Sequence, residues 1–419
     1  MFWNIEPRVR NSLCWRGMCR LGSLSLPLLI LTSAPSLAWH PADDLACNSD
    51  EFDRGAALTN WRRVRAVPEH SPTDRHDVAL IDWSRVQEVE QWDADQLELW
   101  DVDSTQPGKM IAMPHTCVWF QDWRGPLAFK EVSGDFVFTT KVTVRGRDGV
   151  SIPQSAFSLA GIMVRAPRAI TRETWTPAGE NYVFLSLGHG AGDSAIFYEF
   201  EVKTTRNSNS QLELSRAAGG TATLQAARLG AYMIVLRRQA PGPWMVHRRY
   251  RRDDFPQTLQ VGLTVYTDWG KAREFEPLVH NSTVLTAPLP PNLPDPNPSR
   301  PFAPDLIAAF EYARYVRPTL PPELEGLDLT NETLVPDEAL LAFLGAHANA
   351  AGFGGCDANC DGVVDAFDIA PFLDLLFGGG VRCSACAGDV NNDGRIDVLD
   401  IGPFLACISR GFFASIPGP

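Results

Sequence analysis

A twelve-residue motif occurs twice near the C terminus, and it constrains the local fold more than any other feature of the chain. The copies are Asp357–Asp368 and Asp389–Asp400, and both read D-x-N-x-D-G-x-x-D-x-x-D. The similarity continues into D-I-A-P-F-L at 368–373 and D-I-G-P-F-L at 400–405, so the repeat spans 32 residues. The same residue types at the same offsets indicate two equivalent loops, each followed by one short helix.

Each loop places oxygen ligands at positions 1, 3, 5, 9 and 12, with a glycine at 6 for the sharp turn and a backbone carbonyl at 7. Calcium takes roughly six to eight such ligands, whereas magnesium demands near-octahedral geometry. The sequence therefore predicts two calcium ions. The predicted ligands are Asp357, Asn359, Asp361, the Val363 carbonyl, Asp365 and Asp368 in the first loop, and Asp389, Asn391, Asp393, the Arg395 carbonyl, Asp397 and Asp400 in the second.

Much of the chain's acidity is concentrated in this repeat. Residues 356–407 contain nine Asp and two Arg, which contributes −7 to a formal net charge of −13. A solvated acidic surface is the alternative interpretation, but it would not repeat the same residues at the same offsets. The acidic balance also disfavours nucleic acid or an anionic membrane as a partner.

The duplicated loop, followed each time by a short helix and lacking an incoming helix, resembles a type I dockerin over roughly residues 353–410. The resemblance implies a small α-helical module that orders on calcium and docks a cohesin on a scaffold or cell surface. This chain departs from the pattern at loop positions 10 and 11, which are often polar in dockerins that bind cohesins. They are Ala366-Phe367 and Val398-Leu399 here.

Five of the nine cysteines lie in or beside the repeat. C-x3-C with C-x2-C is also a zinc-like spacing, but in an exported protein disulfides are the expected state. An odd number leaves one thiol free or paired elsewhere, and the connectivity stays open. The disulfide candidates here are Cys356, Cys360, Cys383, Cys386 and Cys407, and Cys47 is predicted to bridge to Cys117.

Residues 1–38 are typical of a secretory signal peptide. Four arginines in the first 20 residues precede the apolar run Leu21–Leu31, and Ser36 and Ala38 are small residues before a predicted cleavage at Trp39. A transmembrane anchor is the alternative, but the run is short and contains Pro27. We therefore predict a secreted protein, extracellular or at the cell surface, with no transmembrane anchor in the mature chain.

Residues 47–287 show the period-two alternation of β-strands. In 135–145 the apolar residues Phe136, Phe138, Val142 and Val144 share one face, and polar residues occupy the other. Similar runs occur at 158–165, 181–187, 195–204, 231–238, 244–251 and 259–267, separated by turn signals. Many closely spaced strands with few helix signals predict a mainly β fold, a β-sandwich.

Several short segments in this region resemble those of a concanavalin A-like jelly roll. The family they resemble is one of unknown function, found alone in bacteria and fused behind some β-xylosidases. They are D-E-F-D at 50–53 with Trp61, S-G-D-F-V-F at 133–138, A-G-I-M-V-R at 160–165, N-Y-V-F at 181–184 and L-Q-V-G-L at 259–263. The resemblance covers most of 50–285 and implies association with glycans.

A glycoside hydrolase is the alternative for the same region. Glycoside cleavage needs two carboxylates about 5 to 9.5 Å apart, and alternate residues on a strand lie on one face at about 6.6 Å. Glu199 and Glu201 meet this spacing and faintly resemble the E-x-D-x-E strand of jelly-roll glucanases, but Lys203 stands where that pattern has its acid. A nucleophile triad of His189, Asp193 and Ser194 is disfavoured because no G-x-S-x-G elbow is present.

Five tryptophans, at positions 83, 92, 100, 119 and 123, fall within a short stretch. Flat aromatic faces suit the C–H groups of sugars, although large aromatic residues in a sandwich are often core. Trp119 and Trp123 are the glycan-binding candidates because Trp119 lies just before, and Trp123 within, the polar, turn-prone segment Gln121–Pro126.

The two modules are predicted to be joined by a semi-rigid spacer at 288–304, which contains eight prolines. Short helices are predicted in 305–350, one starting at Asp305 and one at Pro336, and are expected to pack against the calcium module at 351–410. The predicted function is a secreted modular protein that binds a polysaccharide or surface glycan and docks through a calcium-dependent module, in polysaccharide utilisation or surface assembly. The alternatives are a hydrolase using Glu199 and Glu201, and a non-catalytic structural envelope protein.

Overall fold

The computed structural model describes residues 45, 48–52, 61–63, 96–168, 174–190, 195–347, 356–359, 364–378, 387–390 and 396–414. All of these belong to one compact unit, Pro41–Pro419. The other unit, Met1–His40, holds the predicted signal peptide and lies outside the described residues.

The described part of the chain contains fourteen strands. They are β1 (Arg62–Arg63), β2 (Leu97–Val102), β3 (Met110–Pro114), β4 (Leu127–Ser133), β5 (Phe136–Arg145), β6 (Ser158–Arg165), β7 (Tyr182–His189), β8 (Glu199–Arg206), β9 (Asn209–Arg216), β10 (Thr221–Leu229), β11 (Tyr232–Arg238), β12 (Met245–Arg251), β13 (Thr258–Tyr266) and β14 (Ile307–Val316).

The strands form two seven-stranded antiparallel sheets, which confirms the mainly β prediction. Sheet I has the order β1-β4-β13-β6-β7-β8-β9, and sheet II has the order β12-β11-β10-β5-β14-β3-β2. Within β5, the residues Phe136, Phe138, Val142 and Val144 all enter the core shared by the two sheets, as their alternation predicts.

Strand β14 occupies Ile307–Val316, so the helix predicted to start at Asp305 is wrong. β14 pairs with β5 on one side and β3 on the other, and its Phe310 and Tyr315 are buried. Pairing on both edges and burial of these aromatic side chains outweigh the helix propensity of the alanines in this segment. The sandwich therefore extends to Val316, beyond the predicted limit of 287.

The proline-rich segment 288–304 lies against the sandwich, so the predicted spacer between modules is wrong. The buried ammonium of Lys271 pairs with the Asp295 carboxylate and donates a 2.8 Å hydrogen bond to the Asn297 carbonyl. Phe302 stacks on Phe275 with ring centroids 6.1 Å apart. A buried cation requires partners, and here the segment supplies them.

Three helices belong to this part of the fold: α1 (Trp269–Ala272), α2 (Pro277–Ser282) and α3 (Asp337–His347). Helix α3 matches the helix predicted from Pro336. It packs Leu340 and Leu344 onto the outer face of sheet II, where Val137 and Ile234 are buried. The prediction that it packs on the calcium module is therefore wrong, because this sheet face is apolar and needs a cover.

The C-terminal repeat adopts the same local structure twice. The 3₁₀ turn Ala366–Asp368 leads into α4 (Ile369–Leu376), and the turn Val398–Asp400 leads into α5 (Ile401–Ala414). Phe372 and Phe404, at equivalent positions, stack with centroids 3.8 Å apart and planes 5° apart. Among the described residues, no helix is long and apolar enough to span a membrane.

One disulfide joins Cys356 to Cys407 and closes a loop around both copies of the repeat. Cys117 is a free thiol buried in the apolar outer face of sheet I, so its predicted bridge to Cys47 is wrong. Cys47, Cys360, Cys383 and Cys386 lie outside the described residues.

Candidate functional site

The outer face of sheet I carries the residues on which a function was predicted. In β8, Phe200 and Val202 enter the shared core, so Glu199, Glu201 and Lys203 face outward. The segment 117–126 crosses this face and buries a second apolar cluster beneath it, including Trp119. Much of the face is therefore covered by the chain itself.

A pocket with a cavity volume of about 170 Å³ remains open beside this cover, and we call it the aromatic pocket. Strand residues of sheet I form its floor, and residues from the connecting segments form its walls. The floor is Lys203, Leu212 and Tyr266, and the walls are Val118, Trp119, Phe120, Phe157 and Trp269.

A buried polar network lies under the floor. The Lys203 ammonium is 2.9 Å from Oε1 of Glu201 and donates a 2.7 Å hydrogen bond to the Trp119 carbonyl. The Tyr266 hydroxyl donates to Oε2 of Glu201 at 2.9 Å. Because this phenol has one proton, Ser186 donates the 2.6 Å hydrogen bond between the two hydroxyls. Both carboxylate oxygens of Glu201 are thereby occupied.

Burial governs the ionisation of this network. Desolvation lowers the pKa of the Lys203 ammonium, and the neighbouring Glu201 carboxylate opposes that shift. Desolvation and the same carboxylate together raise the pKa of Tyr266 well above its usual value. Tyr266 therefore remains a proton donor to Glu201 across the physiological range.

The structure brings Glu199 and Glu201 onto one face, as predicted, and buries both side chains. Glu201 has no exposed surface and is neutralised by Lys203. Glu199 is buried as well, and its Oε2 accepts a 3.2 Å hydrogen bond from the Gly190 amide. His189 ends β7 with its side chain buried, and Asp193 and Ser194 lie outside the described residues.

The two candidate tryptophans have different roles. Trp119 is fully buried, meets Tyr182 edge-on at 5.5 Å and donates to the Pro126 carbonyl at 3.1 Å, so its prediction as an exposed stacking surface is wrong. Trp123 is half-buried, and its indole N–H donates to the Phe275 carbonyl at 2.9 Å. Trp100 packs against the core, and Trp83 and Trp92 lie outside the described residues.

Trp123 belongs to a group of three half-buried rings that we call the aromatic rim, together with Phe120 and Trp269. Trp269 meets Phe120 at 5.3 Å and Trp123 at 6.0 Å, both edge to face. Sequence reasoning missed Phe120 and Trp269. Trp269 follows Asp268, whose left-handed backbone (φ 62°) redirects the chain after β13, but no local pattern signals that turn.

His280 supports the pocket wall from behind. Its Nε2 accepts a 3.2 Å hydrogen bond from the Val118 amide, and Nδ1 lies 2.9 Å from Oδ1 of Asn281. Both contacts suit a neutral imidazole. Burial lowers the pKa of His280 to about 4; the Asn281 contact opposes this shift and the Arg124 charge adds to it.

Acidification is expected to weaken the fold through His280. Between about pH 6.5 and 4 only the unfolded chain takes up this proton, so the free energy of unfolding falls as the pH falls. At about pH 4.5 the loss is about 2 to 3 kcal/mol, at 1.36 kcal/mol per pKa unit. Urea denaturation at about pH 7 and at about pH 4.5 should show a smaller loss of unfolding free energy in His280→Gln than in the wild type.

His247 also has a pKa lowered to about 4, but it is present in both proteins and contributes equally to both losses. Equal losses in the two proteins would therefore contradict the assignment to His280.

The described parts of the calcium loops hold their position-12 carboxylates inside the module. Asp368 is fully buried and accepts hydrogen bonds from the Asn359 amide at 3.0 Å and the Asp365 amide at 2.8 Å. Asp400 is equally buried and accepts from the Asp397 amide at 2.8 Å. Asp368 thereby ties the start of the first loop to its end. In both loops the predicted ligands are oxygen atoms, which suit a hard cation.

Some of the other predicted calcium ligands lie among the described residues, and the rest lie outside them. Asp357 is buried, and Asp389 is also within the described part. Across that part of the chain, no group of three or more acidic, histidine or cysteine side chains is arranged to hold a metal. Calcium therefore stays a prediction. Outside the described residues lie Asp361, Val363, Asn391, Asp393 and Arg395.

The exit side of each loop exposes apolar side chains at equivalent positions. Phe367 is 76% exposed and Leu399 is 64% exposed at loop position 11, and Val398 is exposed at position 10. Leu373 and Leu405 continue the two surfaces along α4 and α5. The duplication thus produces two similar apolar patches, which we call the exit patches.

No family model matches the chain, and no curated protein matches it. Several solved structures are similar at low identity. The GH43 protein BlXynB from Bacillus licheniformis is 14% identical with a TM-score of 0.36, over 64% of this chain and 39% of that one. A functionally unknown protein from Saccharomyces cerevisiae is 13% identical with a TM-score of 0.34, over 51% and 90%. Basic winged bean lectin, solved with Tn-antigen, is 11% identical with a TM-score of 0.31, over 54% and 94%.

This chain thus spans well under half the length of the Bacillus licheniformis protein. The TM-scores are too low for these neighbours to support an argument about function.

Proposed function

We propose that this protein is exported and binds a polysaccharide or surface glycan through its sandwich, a concanavalin A-like jelly roll, without cleaving it. The observation that carries the proposal is the aromatic rim. Trp123, Phe120 and Trp269 are partly exposed, and Trp123 is fixed from behind by its hydrogen bond to Phe275. Rings held before the ligand arrives lose little entropy on binding, and their faces suit sugar C–H groups.

The state of Glu201 supports a binding role over hydrolysis. A glycosidase needs one carboxyl group that can donate a proton and another that can reach the sugar. Glu201 would have to leave Lys203 and Tyr266 to do either, and breaking a buried pair costs several kcal/mol. The structural envelope alternative lacks such a specific observation.

Glycan binding is tested by pulling down the full chain with a panel of insoluble polysaccharides. At least one should retain the protein, and Trp123→Ala should weaken that binding about tenfold, which corresponds to about 1.4 kcal/mol. Trp244→Ala is the matched control, because this half-buried tryptophan lies in the turn between β11 and β12 of sheet II.

Equal retention of the Trp123→Ala and Trp244→Ala proteins would contradict the role of the rim. Release of soluble sugar by the wild type, lost in Glu199→Gln, would establish the hydrolase instead. Retention by no polysaccharide and no sugar release would favour the structural envelope protein.

For the C-terminal repeat we propose a dockerin-like, calcium-dependent docking module that binds two calcium ions. Its apolar loop positions 10 and 11 differ from those of dockerins that bind cohesins, so the proposed partner is a protein with a matching apolar surface, with a cohesin-like protein as one candidate. The buried position-12 carboxylates support the calcium sites, and the two exit patches support docking, because exposed apolar surface of this extent commonly marks an interaction site. Asp357 and Asp389 would supply the first ligand of each ion site. The ions would hold the loops in the conformation that exposes the exit patches.

A further inference from the structure

The aromatic pocket differs from a sugar site in the state of its polar groups. Lys203 contacts Glu201 and the Trp119 carbonyl, Tyr266 contacts Glu201 and Ser186, and the Trp119 indole donates to Pro126. A monosaccharide that entered would bury several hydroxyl groups with few partners. Each unpaired group costs about 1 to 3 kcal/mol, so the pocket selects a ligand with few polar atoms.

One polar contact remains available at the floor. An ammonium has three N–H donors, and among the described residues Lys203 uses two of them, on Glu201 and on the Trp119 carbonyl. Aromatic rings surround the same nitrogen, with centroids at 4.7 Å for Phe184 and 5.2 Å for Phe120. Lys203 lines the pocket, so its nitrogen offers this third donor to a ligand from among π-faces.

The charge at the floor restricts the ligand further. A cation would be repelled by the Lys203 ammonium, and an anion would lie next to the buried Glu201 carboxylate with little water to screen it. A neutral aromatic ring avoids both costs. Its π-face can add to the rings around the ammonium, an interaction worth more when it is desolvated.

The shape agrees with this chemistry. A cavity of about 170 Å³ admits one aromatic ring, and two of its wall residues, Trp269 and Phe120, meet edge to face. Leu212 supplies an aliphatic surface on the floor. Such walls offer both a face and an edge to an incoming ring, the arrangements that aromatic pairs prefer.

We propose that the aromatic pocket binds a neutral, planar aromatic group whose single hydrogen-bond acceptor contacts the Lys203 ammonium. The pocket shares Phe120 and Trp269 with the aromatic rim, but the inference does not rest on the proposed glycan binding.

The test measures ligand binding to the full chain by NMR titration, with the indole N–H signals of the tryptophans as the readout. The probes are benzamide, cyclohexanecarboxamide, which has the acceptor without the π-system, and benzamidinium, which has the ring with a positive charge. Benzamide should bind at least about tenfold more tightly than either of the others.

Two variants locate the site. Trp269→Ala should weaken benzamide binding about tenfold, and Leu212→Phe should abolish it by filling the pocket without removing any wall. Trp244→Ala, on sheet II, should bind as the wild type does.

The proposal would be overturned if benzamide does not bind the wild type, or if cyclohexanecarboxamide or benzamidinium binds as tightly as benzamide. It would also be overturned if Leu212→Phe binds benzamide as tightly as the wild type does.

Displacement of benzamide by simple methyl glycosides would likewise overturn it and assign the pocket to sugars. That last result would leave the proposed glycan binding intact, whereas loss of polysaccharide retention alone would leave this inference intact.

Discussion

Removing calcium from the full chain is expected to abolish the protection of helices α4 and α5 against hydrogen exchange. The module has a small core, and at about a hundredfold excess over the dissociation constant each ion adds about 2.7 kcal/mol to the stability of the folded state. Exchange followed by mass spectrometry should show peptides from Ile369–Leu376 and Ile401–Ala414 exchanging faster after chelation. Peptides from β6 and β13 should not change, which provides a control within the same sample.

The variants separate ion binding from a general effect of charge. Asp357→Ala combined with Asp389→Ala should remove the calcium response, whereas Asp374→Ala, on the exposed side of α4 outside the loops, should keep it. The Cys356–Cys407 disulfide stays intact throughout, so any change is due to the ions. Identical protection with and without calcium would contradict the proposal.

Docking through the exit patches is measured separately, by capture of the full chain on an immobilised partner protein. If the exit patches bind a cohesin-like partner, Phe367→Asp should reduce capture by an immobilised cohesin without changing the calcium response. Capture that is unaffected by this substitution would remove the exit patches from the proposed interface.

Strands with regular alternation could be predicted from sequence because their pattern is local. The strand predicted at 158–165 is found at those residues, and Phe136 and Phe138 face the core as expected. The short helix after each repeated loop could also be predicted, because the second copy of the motif supplies an internal comparison. In both cases the signal lies within a few residues of what it predicts.

The elements that could not be predicted depend on partners distant in the chain. β14 is a strand because β5 and β3, more than 150 residues earlier, offer it two edges. The segment 288–304 is fixed by Lys271, a residue with no distinctive sequence context. Composition indicated a spacer in one case and a helix in the other, and tertiary contacts overrode both.

The candidate site shows the same division. The alternation of β8 predicted that Glu199, Glu201 and Lys203 share one face, and the structure places them there. The choice between Trp119 and Trp123 required the structure, because the segment that carries both folds back over sheet I. It buries Trp119 beneath itself and leaves Trp123 at the rim.

The Lys203–Glu201 pair is expected to give the largest single-residue effect in the sandwich. Lys203→Met leaves the Glu201 carboxylate buried with an uncompensated charge and should cost about 3 to 5 kcal/mol of unfolding free energy. Adding Glu201→Gln removes that charge and keeps an acceptor for the Tyr266 hydroxyl. The double variant should therefore be about 2 kcal/mol more stable than Lys203→Met alone.

Urea denaturation of the four proteins in this cycle, followed by tryptophan fluorescence, measures the coupling. The exposed pair Arg248 and Glu213 provides a matched control, and its cycle should give less than about 1 kcal/mol because water screens both charges. Additive effects of Lys203→Met and Glu201→Gln would show that the two side chains do not depend on each other. Such independence would contradict the assignment of Lys203 and Glu201 as a buried structural pair.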